Sequence, residues 1–345
     1  MIFKAAKRGA IPICRECSHR KALFMFNRLL RITVLTCIAV VLSFSAAACV
    51  SGVEGPSAPT QTPDAGVNTG EEADPRTLAP VPASDKFSVF DTTIAYDPDK
   101  CTKITLSDGA TSVSGEGAEV SGDVITVKRE GDYLVSGTLS DGQIVVSVEK
   151  TEKVRLILNG ANITNKTQAA IYVTSADKVC VTLASGTVNT LTDGTKYTGL
   201  NEKNEPTACL FCKDDLTING YGALVVNGNY NNGIATKNDL KIVSGSITVN
   251  ARNNAIKGKD SFQMNSGTLV VNSDDDGIKV NEDSNVSKGF ISIEGGTITI
   301  TAGDDALTAV YSVTVTGGTI TTYAGGKAVN CSGTVSIKEG CLIEK

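Results

Sequence analysis

The 345-residue chain contains no tryptophan and only one histidine, His19, which lies near its N-terminus. Catalysis by a Ser-His or Cys-His pair and metal sites built from imidazole both need histidine within the folded region. The sequence therefore excludes these classes of site. A formal net charge of −5 also argues against a nucleic acid as partner, because nucleic-acid binding rests on positive charge that neutralises phosphates.

The sequence beyond the leader also lacks a convincing 3.6-residue spacing of apolar residues, so we expect few helices. Residues 290–309, FISIEGGTITITAGDDALTA, instead alternate apolar and polar residues on both sides of Gly295 and Gly296. This alternation predicts short strands with one buried face, and the glycine pair predicts a corner between them. The many Thr, Ile and Val residues suit such half-buried strands.

A repeating unit runs through the C-terminal half. A glycine before a strand marks each unit, at spacings of 23, 22, 29, 22 and 22 residues: Gly222, Gly245, Gly267, Gly296, Gly318 and Gly340. An apolar residue follows 11 or 12 residues after each of the first five: Ile234, Ile256, Ile278, Leu307 and Val329. A fixed period of this length is typical of a solenoid. We predict an all-β parallel β-helix with coils of about 22 residues, preceded over residues 86–185 by less regular coils and an N-terminal cap.

Composition divides the chain into three parts. Residues 1–48 form a leader with an apolar run after two arginines, as in a secretory signal, and Met25 is an alternative start. Small residues before Cys49 resemble a bacterial lipobox, which predicts lipidation of Cys49 and anchoring on the extracellular face of the cell membrane. Ordinary Ala-x-Ala cleavage and an uncleaved membrane anchor are the alternatives. Residues 49–85, rich in proline, predict a disordered tether, and residues 86–345 the folded domain.

Six cysteines lie beyond the leader and Cys49. The Cys209-x-x-Cys212 spacing fits redox or zinc chemistry, but Leu210 falls on the Ile234 position of the repeat. We therefore interpret these cysteines as packed thiols that bracket a buried strand. A bridge between Cys331 and Cys341 remains an open alternative.

Polar residues stand two positions before each residue of the Ile234 column: Asn232, Asn254, Asp276, Asp305 and Lys327. The neighbouring asparagines 231–232 and 253–254 predict a ladder of amide hydrogen bonds between coils. In the following two coils, aspartates replace the asparagines, and we call these five residues the acidic turn: Asp274, Asp275, Asp276, Asp304 and Asp305.

The acidic turn predicts a calcium site. Carboxylates one coil apart, at about 4.8 Å, repel by roughly 3–4 kcal/mol at an effective dielectric constant of about 20. Oxygens on opposite sides of one Ca²⁺ lie about 4.6–5.2 Å apart, which matches the rise of a coil. Turn aspartates that are merely solvated or paired with lysine are the alternative. Asn281, Glu282 and Asp283 are candidate further ligands, and Lys327 is expected to close the ladder by charge pairing.

Lysines form two further columns. Lys213, Lys237 and Lys259 stand beside aspartates, which predicts mutual neutralisation, with a second metal site as the alternative. Lys257 and Lys279 directly follow Ile256 and Ile278, next to the acidic turn. This second column predicts a ligand-binding surface for a polyanionic chain, and an ordinary solvated face is the alternative.

The strings NDLKIVSGSITVNARNNAIKGKDSFQMNSGTLVVNSDDDGIKV and KGFISIEGGTITITAGDDALTA resemble the bacterial carbohydrate-binding-domain-containing surface proteins. The resemblance covers most of residues 100–340. It implies a right-handed parallel β-helix, similar in fold to family-nine polysaccharide lyases, with calcium at Asp275, Asp276, Asp304 and Asp305. It also implies binding of cellulose and pectin-type acidic polysaccharide. Because several residues depart from the family pattern, we expect fewer calcium ions than the family pattern implies. These residues are Asn231, Asn232, Asn253, Asn254, Ala306 and Lys327.

The predicted function is non-catalytic, calcium-stabilised binding of polysaccharide, such as polygalacturonate or cellulose, at the bacterial cell surface. One alternative is a calcium-dependent lyase in which Lys257 or Lys279 removes the α-proton of a uronate. A structural adhesin without a defined sugar is the other alternative. Because tryptophan is missing, any aromatic platform for a sugar has to come from tyrosine.

Overall fold

The computed structural model describes residues 74–198 and 205–345, and the structural statements below concern these residues. Their strands form one sheet of 18 strands and one of 10, and consecutive coils pair in parallel. The predicted all-β parallel β-helix is confirmed. The leader, Cys49 and the tether up to residue 73 lie outside the described residues.

Each regular coil contributes one strand to each of three faces. The first face contains β1 Thr102–Leu106, β9 Lys178–Leu183, β12 Asp215–Gly220, β15 Asp239–Ile242, β18 Ser261–Met264, β21 Phe290–Ile293, β24 Ser312–Val315 and β27 Thr334–Ile337. The second face contains β10 Val188–Asp193, β13 Ala223–Gly228, β16 Ser246–Ala251, β19 Thr268–Ser273, β22 Thr297–Ala302, β25 Thr319–Ala324 and β28 Leu342–Glu344. The long strands β5 Gly131–Leu139 and β7 Lys153–Asn165 run across both of these faces.

The third face contains β4 Val124–Val127, β6 Gln143–Ser147, β8 Ile171–Ser175, β11 Ala208–Cys212, β14 Asn232–Thr236, β17 Ile256–Gly258, β20 Ile278–Val280, β23 Leu307–Ala309 and β26 Val329–Cys331. Two strands at the N-terminal end pair antiparallel with their neighbours: β2 Ser112–Ser114 with β1 and β3 Ala118–Ser121 with β4. Antiparallel pairing of this kind ends the stack of parallel coils at this side.

The register between coils follows the sequence repeat. Ile256 pairs with Ile278, which in turn pairs with Leu307, so the predicted apolar column is a ladder of neighbouring side chains. These three residues are fully buried, as are Val271 and Ile300 of the second face. The marker glycines also stack. Gly296 has φ +94°, and a Cβ there would lie 2.8 Å from the carbonyl oxygen of Gly267. Only glycine fits this corner without strain.

An N-terminal strap, residues 74–98, lies across the outer side of the first face. It contains a single 3-10 turn, Pro75–Thr77, and one short helix, α1 Val89–Thr92. Val81, Phe87 and Ile94 pack with Val243, which directly follows β15 of the first face, in a small apolar cluster. Residues 74–85 were predicted to be tether, so this part of the prediction is wrong: the packed chain begins by residue 74 rather than at residue 86. No described helix is long and apolar enough to cross a membrane.

Asp91 fixes the strap to the β-helix. Its carboxylate is fully buried and accepts hydrogen bonds from Lys178 at 2.9 Å and from Thr217 at 2.6 Å, and Lys241 lies 3.7 Å away. Burial acts to raise the pKa of Asp91, but the hydrogen bonds from Thr217, Lys178 and Ser88 outweigh it and the pKa lies below its ordinary value. The strap is thus held by a buried, ionised carboxylate between two lysines.

Candidate functional site

The acidic turn lies at the corner between the second and third faces. Asp275, Asp276 and Asp304 each offer a carboxylate oxygen, and these oxygens lie within 4.8 Å of one another. Asp276 is buried, Asp275 is half-buried and Asp304 is exposed, so the group opens to solvent on one side. The stacking of one coil on the next brings together three of the five predicted ligands.

Asp274 and Asp305 lie outside this group of three. Asp305 accepts hydrogen bonds from the backbone N–H of Lys327 at 2.7 Å and from Asn330 Nδ2 at 2.6 Å. Its own N–H donates to Asp276 Oδ1 at 3.1 Å. Asp305 therefore ties one coil to the next. Lys327 meets this aspartate through its backbone rather than through its ammonium group, contrary to the predicted charge pairing.

The donor set fits a hard divalent cation. The oxygens lie no more than 4.8 Å apart, so one Ca²⁺ ion, which spans about 4.6–5.2 Å between opposite oxygens, can contact all three. Gly326 leaves space above the turn, since a Cβ there would lie 2.5 Å from Asp305 Oδ1 and 2.7 Å from Asp304 Oδ1. Lys279 is a competitor, because its ammonium group lies 2.6 Å from Asp276 Oδ2.

The asparagines that precede the acidic turn bond to one another, as predicted. Asn253 Nδ2 donates to Asn231 Oδ1 at 2.7 Å, and Asn254 Nδ2 donates to Asn232 Oδ1 at 3.0 Å. A second amide ladder, which we did not predict, runs along the outer side of the second face through Asn227, Asn250 and Asn272. The donors of these ladders are satisfied between coils, but Asn254 Oδ1 is buried and has no hydrogen-bond partner among the described residues.

Lys257 and Lys279 stand side by side at the start of β17 and β20, as their positions in the repeat predict. Burial, reinforced by the ammonium groups of Lys279 and Lys237, lowers the pKa of Lys257. Burial acts in the same direction on Lys279, but its contact with Asp276 outweighs it and raises the pKa. Among the described residues, no carboxylate lies within ion-pair distance of Lys257, so this lysine is available to an anionic ligand.

The other lysine column is neutralised, but by partners that the sequence did not indicate. Lys213 and Lys237 both pair with Glu205, at 3.3 and 2.8 Å, and Lys259 pairs with Glu282 at 2.8 Å. The hydrogen bond from Lys259 lowers the pKa of Glu282 to about 2. Glu282 was a candidate calcium ligand together with Asn281 and Asp283, yet neither Glu282 nor Asp283 joins the acidic group. Among the described residues, no second group of three carboxylates was found.

Cys209 and Cys212 are fully buried free thiols, and Leu210 pairs with Ile234 as predicted. Burial raises the pKa of both thiols, which makes them poor nucleophiles and poor metal ligands. Cys331 and Cys341 are also free thiols. The interpretation of the Cys-x-x-Cys pair as packing residues agrees with this environment.

A tyrosine pair at the same corner was not predicted. The rings of Tyr197 and Tyr230 stack with their centroids 4.2 Å apart and 15° between their planes. The buried Asp193 carboxylate accepts a hydrogen bond from the Tyr197 hydroxyl at 2.6 Å and others from the backbone of Asn229 and Tyr230. Burial outweighs these hydrogen bonds and raises the pKa of Asp193 to about 6.

Asp193 should make stability depend on pH. A carboxyl group whose folded pKa lies above its unfolded value of 3.8 binds its proton more tightly in the folded chain. Its contribution is therefore full at low pH and is lost as pH rises through about 6. We expect the free energy of unfolding to fall by about 1–2 kcal/mol between about pH 5 and pH 7.

Denaturant unfolding at these two pH values measures the effect. Asp193→Asn is the matched variant, because asparagine keeps the acceptor for the two backbone N–H groups but cannot titrate. The variant should show a smaller fall than the wild type. An equal fall in both proteins would contradict the assignment to Asp193. Histidine does not contribute in this interval, because residues 74–345 contain none.

Comparison with known proteins identifies the family of this scaffold. A family model described as carbohydrate-binding domain-containing protein matches residues 121–341. A carbohydrate-binding domain-containing protein of Acetivibrio thermocellus is 47% identical over 137 residues, which is 39% of this chain and 48% of the relative. The alignment thus spans about half the length of that relative.

A solved structure is similar in fold. It is that of a polysaccharide lyase-like protein from C. thermocellum, a gadolinium derivative, with a TM-score of 0.70 and 42% sequence identity. The similarity covers 71% of this chain and 100% of the solved one. The family match over residues 121–341 covers more than half of the chain, so the chain belongs to the family of carbohydrate-binding domain-containing proteins.

Proposed function

We propose that this protein binds acidic polysaccharide without cleaving it, at the corner between the second and third faces, with calcium held by Asp275, Asp276 and Asp304. One observation carries the proposal: three carboxylates within 4.8 Å of one another stand beside Lys257, which has no carboxylate of the described residues within ion-pair distance. An ion in the acidic turn would offset the repulsion between the carboxylates and would keep coordination positions open towards solvent.

The ligand class follows from the charges at this corner. A calcium ion on the exposed side of the acidic turn can take a uronate carboxylate as a further ligand, while Lys257 pairs with the next carboxylate along the chain. Polygalacturonate has this character. Cellulose lacks carboxylates, so its binding would rest on tyrosine and hydroxyl contacts and would respond less to salt. The solved relative was described as a gadolinium derivative, and lanthanide ions also prefer oxygen ligands, which makes gadolinium a useful probe of this turn.

Removing Lys257 should weaken binding of oligogalacturonate about tenfold, a loss of about 1.4 kcal/mol. Calorimetric titration of the full chain in detergent, with calcium present, measures the affinity. Lys259→Ala is the matched control, because Lys259 is already paired with Glu282 and should matter little. Binding should weaken further as salt is raised, since exposed charges are screened beyond about 8 Å at physiological ionic strength. Equal affinity of the Lys257→Ala variant and the wild type would exclude Lys257 from the binding surface.

The double variant Lys257→Ala with Lys279→Ala is a less direct test of the polysaccharide-binding surface. Lys279 neutralises Asp276, so its removal should strengthen cation binding while it weakens attraction for the polyanion. We therefore expect Lys279→Ala alone to raise calcium affinity.

A calcium-dependent lyase is the second candidate. The observation that favours it is the lowered pKa of Lys257, since a lysine with a depressed pKa can serve as a general base. The lyase forms an unsaturated sugar, whose ultraviolet absorbance is a direct assay on polygalacturonate with calcium. A rise in absorbance that disappears in Lys257→Ala would establish the lyase in place of a non-catalytic binder.

The proposed location is the extracellular face of a bacterial cell membrane, with a lipid on Cys49. Cys49→Ser should release the protein from the membrane fraction into the medium. Mass spectrometry of the mature N-terminus tests the modification directly. A mature chain that begins elsewhere and carries no acyl group would exclude the lipid anchor.

A further inference from the structure

The coil that contains Tyr230 has one residue more than the coil that follows it. Gly222 and Gly245 are 23 residues apart, whereas the next step is 22. Gly228 pairs with Ala251, and the Asn232 side chain meets that of Asn254, so the extra residue lies in the turn between them. This longer turn carries Tyr230 and sits at the same corner as the acidic turn.

Tyr230 is held in place from behind. The Tyr197 hydroxyl donates a hydrogen bond to Asp193 and lies 3.1 Å from the carbonyl oxygen of Ala208. These contacts fix the orientation of the Tyr197 ring. The Tyr230 ring stacks on this fixed ring. Both rings are half-buried, and no described residue forms a hydrogen bond with the Tyr230 hydroxyl. Asp193 and Tyr197 thus act as positioning residues for the Tyr230 ring, whose hydroxyl has no hydrogen-bond partner among the described residues.

Arg252 lies in the next coil, between the turn of Tyr230 and the acidic turn. Its backbone N–H donates to Gly228 at 3.1 Å, while the N–H of Asp274, one coil further on, donates to Ala251 at 3.2 Å. The Arg252 side chain is exposed, and no carboxylate of the described residues lies within ion-pair distance of it. A guanidinium group binds a planar carboxylate through two parallel hydrogen bonds.

We propose that Tyr230 and Arg252 form a uronate subsite of the polysaccharide-binding corner. The Tyr230 ring packs against the C–H face of a pyranose, and Arg252 binds the carboxylate of the same or the adjoining sugar. From the coil of Tyr230 to that of Asp304 there are three steps, about 14 Å at one strand spacing each. A few sugar rings laid parallel to the solenoid axis would reach both ends. This subsite rests on the proposed function, since it extends the same bound chain.

Calorimetric titration of the full chain in detergent, with calcium present, tests the subsite with tetragalacturonate and with neutral cellotetraose. Arg252→Ala should weaken tetragalacturonate binding about tenfold and leave any cellotetraose binding unchanged. Arg252→Lys keeps the charge but loses the paired hydrogen bonds, so it should recover only part of the affinity. Tyr230→Ala should weaken binding of both sugars about fivefold or more, whereas Tyr230→Phe keeps the ring and should lie close to the wild type. Lys338→Ala is the control for charge alone, because Lys338 is an exposed cation that directly follows β27 of the first face.

The outcomes separate the subsite from the proposed function. If Arg252→Ala and Tyr230→Ala bind tetragalacturonate like the wild type, while chelator or Lys257→Ala weakens binding, the subsite is wrong and the proposed function stands. An equal loss in Arg252→Ala and Lys338→Ala, together with full affinity in Arg252→Lys, would indicate charge attraction only and would also overturn the subsite. If the wild type binds neither sugar, the proposed function fails and the subsite with it. Near-ultraviolet circular dichroism checks that the two stacked rings remain packed in every variant that retains both of them.

Discussion

Removal of calcium should lower the melting temperature of this protein by about 5–10 °C. An ion present at about one hundred times its dissociation constant stabilises the folded chain by about 2.7 kcal/mol, and each kcal/mol shifts the midpoint of a domain of this size by about 2–4 °C. The loss has a specific cause, because the oxygens of Asp275, Asp276 and Asp304 lie within 4.8 Å and repel without a cation. Scanning calorimetry with calcium and with excess chelator measures the shift.

Two variants make this experiment specific to the acidic turn. Asp276→Asn combined with Asp304→Asn removes two charges with little change of shape, and its melting temperature should respond little to chelator. Asp305→Asn is the matched control: Asp305 bonds to Lys327 and Asn330 in the next coil, so the response should persist. A wild-type melting curve that is unchanged in excess chelator would exclude a structural ion at this turn.

Replacing Asp91 by alanine should cost about 3–5 kcal/mol of folding stability, the usual loss when one partner of a buried ion pair is removed. Lys178 and Lys241 would then face each other without their shared carboxylate, in a place where their side chains are only 12% and 11% exposed. Thr217 would also lose its acceptor. Chemical denaturation measures the cost, and hydrogen exchange over residues 74–98 shows whether the strap detaches.

Asp91→Asn separates charge from shape at this position. Asparagine retains an acceptor for Thr217 but leaves the lysines without a counter-charge. The free energy of unfolding of Asp91→Asn should therefore lie between those of the wild type and the alanine variant. Because the folded pKa of Asp91 lies below its ordinary value, the contribution of this carboxylate is full above about pH 4 and is lost as pH falls further. If the alanine variant is as stable as the wild type and the strap is still protected from exchange, the apolar residues Val81, Phe87 and Ile94 alone hold the strap in place.

The coil architecture could be predicted because each link is local. Alternation in Thr297–Thr301 fixes which side chains face inward, and a constant spacing forces Ile256, Ile278 and Leu307 into one ladder. Parallel strands stacked at one spacing leave no other register that keeps these residues buried. The amide contacts between Asn231 and Asn253 follow from the same repetition.

Contacts made by segments outside the repeat were not predictable in this way. The strap has the composition of a linker, and only its packing against Val243 reveals Val81 as a core residue. Glu205 and Glu282 reach their lysines from irregular segments whose path no period describes. Within the acidic turn, adjacent aspartates look alike in sequence. Yet Asp304 joins the group of three carboxylates, while Asp305, one position later, bonds to the next coil. The extra residue near Tyr230 was visible as a 23-residue step, although its aromatic partner was not.

The affinity of the full chain for tetragalacturonate, measured by calorimetry with calcium and again with excess chelator, tests the central claim most directly. We expect binding with calcium, and at least about a tenfold loss of affinity in chelator, because the ion would ligate both the acidic turn and the sugar carboxylate. The Asp276→Asn, Asp304→Asn variant should bind weakly in either condition. Equal affinity with and without calcium, or no binding by the folded wild-type chain in calcium, would contradict the assignment of this corner as a calcium-dependent polysaccharide site.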